Sequence, residues 1–570
     1  MLKTQNNLLD YLKKLAQVIE KARTAEVEIN GEPAQIQAFA QAVAERELLV
    51  PVVGAFSAGK SSLLNAIMGS SILPMDIKPE TAIPTELRHD THERIEAFFT
   101  DGRTEQYGVD QLPALQARAE QLKFLRLHLN RPALKELAPL VLVDMPGFNS
   151  PLDAHNKAID RYIGDGVHYL FVVSVEEGAL HQQIISNMDQ VTVMERGFTV
   201  CINKADLKPA ADVQGICDYI REQLGDEGFE AEVCAVSKND IASVKAMLGS
   251  FDPERIFGAI FENSLLGHNQ YMQGILDTAL KGLESSKEAN ARKIKDMEDA
   301  LVALEQERQQ QSEASQGGNL EGAADDILRA VRNRLAGSVD MLAQAALRSQ
   351  DEMTRIISNE VRSCLTSGLK SATNSMSARM VAEFSQHVSG SLRTDVNLSQ
   401  NQNNWTDSLL QTLQSQLLPG LLSGLGDKSG GTGTVITSMM SGMAAMRFIP
   451  NPILQVVATI LPSVLGAIFG GIGEGKKLEQ AKEAIRTQVF PSVESHLRPQ
   501  LLEFLLQAQE QIVQSVSKAF DERIKAQKEV LEKINKEAES GNLEARIGVL
   551  KDALAEVRAL ADTHLQTVKH

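Results

Sequence analysis

A mostly parallel α/β domain, its sheet flanked by helices, joined to an extended all-α helical bundle is the fold class this sequence predicts. Three observations carry the prediction. Between about residues 48 and 247, short β-branched apolar runs alternate with helical stretches, as in strand–helix–strand units. From about residue 252 onward no strand pattern recurs, and helical spacing takes over. The chain's 570 residues are also too many for one compact core, so at least two folded units are expected.

Residues 1 to about 47 are polar and helix-favouring, with Leu8, Leu12, Leu15 and Ile19 at steps of three and four. That apolar stripe needs a partner helix. Leu48–Val53, Leu140–Val143, Tyr169–Val175, Thr199–Ile202 and Val233–Val236 read as buried strands, and Arg94–Phe99 as an edge strand. In an open sheet of this kind, ligands bind at the carboxyl ends of the strands. Beyond it, one helical run extends from Pro253 to about Gln311. A second, from Asn319 to about Leu392, would span about 110 Å if unbroken. A third runs from Lys476 to Ser540 with Pro491 and Pro499 as kinks, and a last helix starts at Asn542. Gly318-Asn319-Leu320-Glu321 and Gly541-Asn542-Leu543-Glu544 repeat the same four residues, each pairing a Gly with a helix-capping Asn. They read either as one level of an antiparallel bundle, hence a hinge, or as two ordinary turns.

Composition limits the partners. With 57 Lys and Arg against 74 Asp and Glu the net charge is −17, which would repel a phosphate backbone, so no nucleic-acid partner is expected. Cysteines at 201, 217, 234 and 364 show neither a CxxC pair nor metal-ligand spacing with His, and a reducing cytosol fits them. The N-terminus does not read as a secretory signal.

Directly after the first strand, Gly54-Ala55-Phe56-Ser57-Ala58-Gly59-Lys60-Ser61 fits GxxxxGK[ST], and Ser62-Leu63-Leu64-Asn65 opens a helix. Glycines there let backbone N–H groups turn inward around phosphate oxygens, Lys60 neutralises the β- and γ-phosphates, and the Ser61 hydroxyl reaches Mg²⁺. Gly54, Ser57, Ala58, Gly59, Lys60, Ser61 and Ser62 are therefore candidate nucleotide-binding residues. Asp144-Met145-Pro146-Gly147 ends a later strand; Asp144 can hold the Mg²⁺ shell through water and the Gly147 N–H can sense a γ-phosphate. Asn203-Lys204-Ala205-Asp206 fits NKxD, in which the Asp206 carboxylate accepts the N1 and N2 hydrogens of guanine that adenine does not offer. Ser237 and Lys238 follow the last strand, where a backbone N–H and a lysine stem would hold the guanine O6 and ring. Four pieces in order, each at a strand's carboxyl end, predict binding of GTP and GDP with Mg²⁺. Between the first helix and Leu87, a switch threonine completing the Mg²⁺ shell is needed; Thr81 and Thr85 are both available, and Thr85 reads more readily as a loop hydroxyl.

The combination of Gly-Ala-Phe-Ser-Ala-Gly-Lys-Ser-Ser-Leu-Leu-Asn, Leu-Pro-x₄-Pro-Glu-Thr-Ala-Ile-Pro-Thr, Asp-Met-Pro-Gly and Asn-Lys-Ala-Asp resembles the bacterial dynamin-like GTPases over about residues 48 to 240. The resemblance implies a GTPase head on a helical neck and trunk, heads that dimerise across the nucleotide, and a membrane-inserting paddle at the trunk tip. It implies that Ser57 contacts the phosphates and helps place a charge-compensating monovalent cation, and that Thr81 is the switch threonine, which makes Ser57, Lys60 and Thr81 the candidate catalytic residues. Phe148 stands where Ras-like enzymes place a water-orienting glutamine, so hydrolysis is expected to be slow until heads dimerise or assemble. The expected division is a helical segment 1–47 joining the neck, the GTPase domain 48–250, neck helices 251–318, trunk helices 319–428, a paddle-like tip 429–475, a returning trunk helix 476–541 and a neck helix 542–570.

Residues 429–475 hold two charged side chains, Arg447 and Glu474, where the chain average would place about eleven. Pro450, Pro452 and Pro462 break any single span, so the stretch reads as a re-entrant or interfacial hairpin or, alternatively, as core at the bundle tip. Two function classes follow. One is a mechanochemical GTPase, cytoplasmic and peripherally bound to a lipid membrane, assembling with itself or with partner dynamin-like subunits. The other is a GTP-dependent scaffold that binds partner proteins without a membrane. A ribosome-associated GTPase shares the nucleotide motifs but lacks the basic appendage that RNA would need.

Overall fold

The computed structural model describes residues 2–27, 32–55, 57–74, 83–146, 162, 166–193, 196–249, 251–314, 319–348, 350–391, 405–407, 409–411, 413–414, 477–537 and 543–565. They fall into two compact units, one built on Glu47–Ile256 and one drawn from Lys3–Arg46 and from the chain beyond Phe257.

The first unit is a nine-stranded sheet in the order β4-β3-β5-β2-β6-β1-β7-β8-β9. Its strands are β1 (Leu48–Gly54), β2 (Thr85–His89), β3 (Arg94–Phe99), β4 (Thr104–Tyr107), β5 (Leu122–Leu129), β6 (Leu140–Asp144), β7 (His168–Ser174), β8 (Gly197–Asn203) and β9 (Glu232–Ala235). From β6 through β1, β7 and β8 to β9 all pairings are parallel, as is β2 with β5. The reversals occur where β2 meets β6 and where β3 meets β5 and β4. Parallel strands covered on both faces must be apolar throughout, and β1, β6, β7 and β8 are the Val/Ile/Leu-rich runs of the sequence. Phe171, Val173, Val200 and Ile202 pack against Ile184 and Met188 of the Gln182–Val193 helix and Ile220 of the Ala210–Asp226 helix, forming the core beneath the strand ends.

Arg94–Phe99 is not an edge strand. The short polar β4 pairs antiparallel with it and takes the edge itself. Its four residues, Thr-Glu-Gln-Tyr, alternate between exposed and half-buried, so no apolar run announces them. β5 escapes a sequence reading because Leu122, Leu125 and Leu129 also fit helical spacing. β2 escapes it because three of its five residues are Glu, Arg and His.

In the second unit the amphipathic N-terminal stretch forms two helices, Lys3–Thr24 and Glu32–Glu45. Leu8, Leu12, Leu15 and Ile19 are all buried. Their partner is the Leu543–His564 helix: Asn7 Nδ2 donates to the His564 carbonyl at 3.0 Å, and Lys21 pairs with Glu556 at 2.7 Å. The long runs are more broken than periodicity alone predicts. Pro253–Glu284 and Lys287–Ala314 are separate helices, and the next stretch divides into Asn319–Gly337, Val339–Arg348 and Gln350–Ser391. Before Phe490–Glu537 the chain makes a π-helical turn at Ile485–Val489. Pro491 lacks the N–H that would bond to Thr487, which accounts for the irregularity there, while Pro499 lies inside the long helix. Among the described residues no helix is long and apolar enough to cross a membrane. The apolar stretch 429–475, and Gly318, Gly541 and Asn542 of the candidate hinge, lie outside the described residues.

Candidate functional site

The phosphate loop leaves β1 at Gly54, which pairs with Val172 of β7. A Cβ at Gly54 would sit 2.2 Å from the Val172 carbonyl oxygen, so only glycine lets the loop start this close to the neighbouring strand. Gly59 has φ +86°, and a Cβ there would lie 2.6 Å from Asn203 Nδ2. Glycine is thus required twice, once for space and once for both space and backbone conformation. The Lys60–Met68 helix begins immediately after it.

Lys60 is buried, and its Nζ donates to the Gly54 and Ala55 carbonyls, each at 3.0 Å. Burial pushes its pKa down to about 8, against the opposing pull of Asp144. Two neutral carbonyls of its own loop are weak compensation for a buried ammonium, so the site favours an anion there. Ser61 Oγ donates to Asp144 Oδ2 at 2.7 Å. Burial raises the Asp144 pKa, while Lys60 and the Ser61 hydroxyl counter it. Asp144 Oδ1 is buried and, among the described residues, has no hydrogen-bond partner. A serine hydroxyl beside a carboxylate with one unused oxygen is the hard-oxygen donor set that Mg²⁺ takes.

At the carboxyl end of β8, Asn203 Nδ2 donates to the Ala58 carbonyl at 3.0 Å and the Gly59 carbonyl at 3.2 Å, fastening the Asn203–Asp206 segment to the Gly54–Ser61 loop. Lys204 turns the chain with φ +61°, and its Nζ meets Glu176 Oε2 at 2.7 Å. Asp206 stands exposed, its Oδ1 accepting from Ser237 Oγ at 2.6 Å and its Oδ2 from Asn239 Nδ2 at 3.1 Å. The Ser237 hydrogen bond is the main cause of a lowered Asp206 pKa, so the carboxylate is ionised and aimed. Lys238 is exposed beside it. The structure therefore brings Gly54, Ala58, Gly59, Lys60, Ser61, Asp144 and Asn203 together at one end, and Lys204, Asp206 and Ser237 at the other. Ser57 is exposed on the loop, and Ser62 is half-buried in the helix that follows. Thr81 and Gly147 lie outside the described residues. Thr85 is buried on β2 with its hydroxyl donating to the Ile83 carbonyl at 2.9 Å, a local structural use.

Sequence reasoning missed three contributors. Glu176, just past β7, holds Lys204; Asn239 shares Asp206 with Ser237; Asn65 accepts from the backbone of Ile72 and Leu73 and donates to the Leu73 carbonyl, closing the turn after the first helix. Only Asn65 carried a signal, as the asparagine that ends the run Ser61-Ser62-Leu63-Leu64-Asn65.

The profile of the dynamin family matches residues 50–206, the segment from β1 through the NKxD loop. Residues 50–206 are thus similar to the dynamin family. Over 180 residues it is 33% identical to dynamin-like protein 2 of Campylobacter jejuni, a match covering 31% of this chain and 29% of that protein. Over 189 residues it is 29% identical to the bacterial dynamin-like protein of Nostoc punctiforme, covering 29% and 27% respectively. The chain thus spans well under half the length of these two relatives. Among solved structures, LeoA, a bacterial dynamin GTPase from ETEC, aligns over 98% of each chain at 13% identity with a TM-score of 0.30.

Proposed function

We propose that the protein binds GTP and hydrolyses it to GDP and phosphate with Mg²⁺, and that this cycle drives head-to-head assembly of a helical stalk whose apolar segment 429–475 contacts membrane. The observation that carries the reading is the Ser61–Asp144 pair at 2.7 Å, with Asp144 Oδ1 unused, beside the buried Lys60. In this reading the Lys60 ammonium exchanges the Gly54 and Ala55 carbonyls for β- and γ-phosphate oxygens. Backbone N–H groups from Gly54 to Ser62 cradle the phosphates, and Asp206, with Ser237, Lys238 and the Lys204 stem, reads the guanine. Ser61, Asp144 and Thr81 would hold Mg²⁺, which neutralises charge developing on the transferred phosphoryl group. Ser57 would place a monovalent cation, and the Gly147 N–H would sense the γ-phosphate. Phe148 offers no hydrogen bond to orient water, which supports slow hydrolysis by an isolated head and faster hydrolysis on dimerisation. A cytoplasmic protein that associates peripherally with membrane fits this cycle.

The test is GTP turnover at several protein concentrations, with and without liposomes. A rate per molecule that rises with concentration supports activation by head dimerisation, and a further rise with liposomes supports the membrane arm. If the protein never sediments with liposomes in any nucleotide state, the membrane arm falls and the scaffold reading, in which partner proteins replace lipid, takes its place.

A further inference from the structure

Arg523 lies in the Phe490–Glu537 helix and is 4% exposed, yet among the described residues it makes no ion pair, and its Nε and Nη1 have no hydrogen-bond partner. What it has is an aromatic face: its guanidinium carbon sits 4.7 Å from the centroid of the Trp405 ring. One turn further along the same helix, Gln527 is 3% exposed, and its Oε1 is also buried without a partner among the described residues. Burial pushes the Arg523 pKa down to about 10, with Tyr271 of the Pro253–Glu284 helix pulling against it. At neutral pH the group is still charged.

The packing around the guanidinium explains how a charge came to be enclosed. Gly274 of the Pro253–Glu284 helix lies against it, and a Cβ there would be 3.0 Å from Arg523 Nη2 and 3.3 Å from Gln527 Nε2. Glycine admits the planar group. The Trp405 ring also meets Phe520, one turn before Arg523, edge-on at 4.9 Å. Leu409 and Leu413 follow Trp405 at steps of four and are buried as well, while Asp407 and Gln411 are exposed. An apolar stripe thus holds the indole over the arginine. A cation–π contact offsets only part of the cost of taking a guanidinium out of water, and oxygens of an anion are what would offset the rest.

We infer that Arg523 is an oxyanion-binding residue covered by Trp405: when the indole moves aside, the guanidinium takes a small oxyanion, with Gln527 as a second hydrogen-bonding side chain. Apolar contacts favour the covered form, and the uncompensated charge beneath them favours opening. An anion that pairs with the guanidinium only in the open form shifts the balance by mass action. The site lies in the helical unit and does not depend on the GTPase reading.

Trp405 is the only tryptophan of the chain, so its emission reports on this place alone. The experiment titrates the full chain with inorganic phosphate at constant ionic strength and follows tryptophan emission and its quenching by acrylamide. Wild-type protein should respond saturably, with quenching rising about twofold as the indole is uncovered. Arg523→Met should abolish the response and leave the indole at least as protected as in the phosphate-free wild type, because no buried charge remains to favour opening. Arg523→Lys keeps the charge without the planar guanidinium, so it should bind phosphate about tenfold more weakly, and it carries the test should Arg523→Met not fold. Repeating the wild-type titration with saturating GDP, which occupies the phosphate loop, should leave the response in place. A wild type that shows no saturable change overturns the inference, as does a response that survives in Arg523→Met, is undiminished in Arg523→Lys or disappears with GDP. An indole more readily quenched in Arg523→Met than in wild type overturns it too, since the guanidinium would then be holding the cover down.

Discussion

At the phosphate end of the candidate site the polar groups are buried and bound to one another; at the base end they stand in solvent. Lys60 and Asp144 are both under 10% exposed, and their partners are loop carbonyls and a serine hydroxyl. Asp206 and Lys238 are exposed, and the aim of Asp206 comes from Ser237 and Asn239. The phosphate end therefore carries a desolvation cost that a bound anion relieves, whereas the base end is oriented at little cost. Binding strength should depend mainly on the first, and discrimination between bases on the second.

Replacing Lys60 should have the largest effect. Lys60→Met is expected to weaken GTP binding by about 4 kcal/mol, roughly 1,000-fold, measured by titration of a fluorescent GTP analogue. The same variant should stabilise the nucleotide-free protein at neutral pH, by up to about 3 kcal/mol, because the folded-state pKa of about 8 lies below the ordinary 10.5. Below pH 8 both folded and unfolded chains are protonated and the penalty is full. Between pH 8 and 10.5 only the unfolded chain keeps the proton, so wild-type stability should rise with pH and close the gap to the variant. Denaturant unfolding of both proteins across that range checks it; a gap independent of pH would mean that burial does not strain Lys60.

Asp206→Asn tests the other end. GTP affinity should fall about 100-fold, since the amide N–H faces the donor N2 amino group of guanine, while binding of a xanthine nucleotide, which carries an acceptor oxygen at that position, should improve. If both nucleotides weaken equally, Asp206 does not read the base. A smaller loss follows from Ser237→Ala, which removes one hydrogen bond from Asp206: about 1 kcal/mol, or roughly fivefold in GTP affinity, by calorimetry. Glu176→Gln should matter least, about twofold, because its ion pair with Lys204 is solvent-exposed and screened. An effect larger than that of Ser237→Ala would place base recognition in the Lys204 stem and not in Asp206.

Some of this was readable in the chain before any coordinates. The loop from Gly54 to Ser61, Asp144 and the Asn203–Asp206 motif are local patterns, in which residue types at fixed spacing determine a turn and its chemistry. Their flanking strands β1, β6, β7 and β8 were equally plain, because strands buried on both faces must be continuously apolar. β2 and β5 were hidden for the opposite reason. In β2, Glu86 is buried only because partners far away in sequence meet it, Arg126 and Tyr162 among them, and in β5 Arg126 and His128 interrupt a Leu spacing that also fits a helix. The breaks in the long helices were hidden too, since a Leu/Ala stripe continues across Ser338 whether or not the backbone turns there.

The sequence alone determined the nucleotide motifs, their order and the two-part division of the chain, because each depends on local spacing or composition. Tertiary structure decided which carbonyls hold Lys60, which hydroxyl aims Asp206, and that one buried carboxylate joins two segments 76 residues apart. Those contacts arise when the sheet sets strands side by side in a fixed register. Register is a property of pairing between distant segments, and no single stretch of sequence contains it.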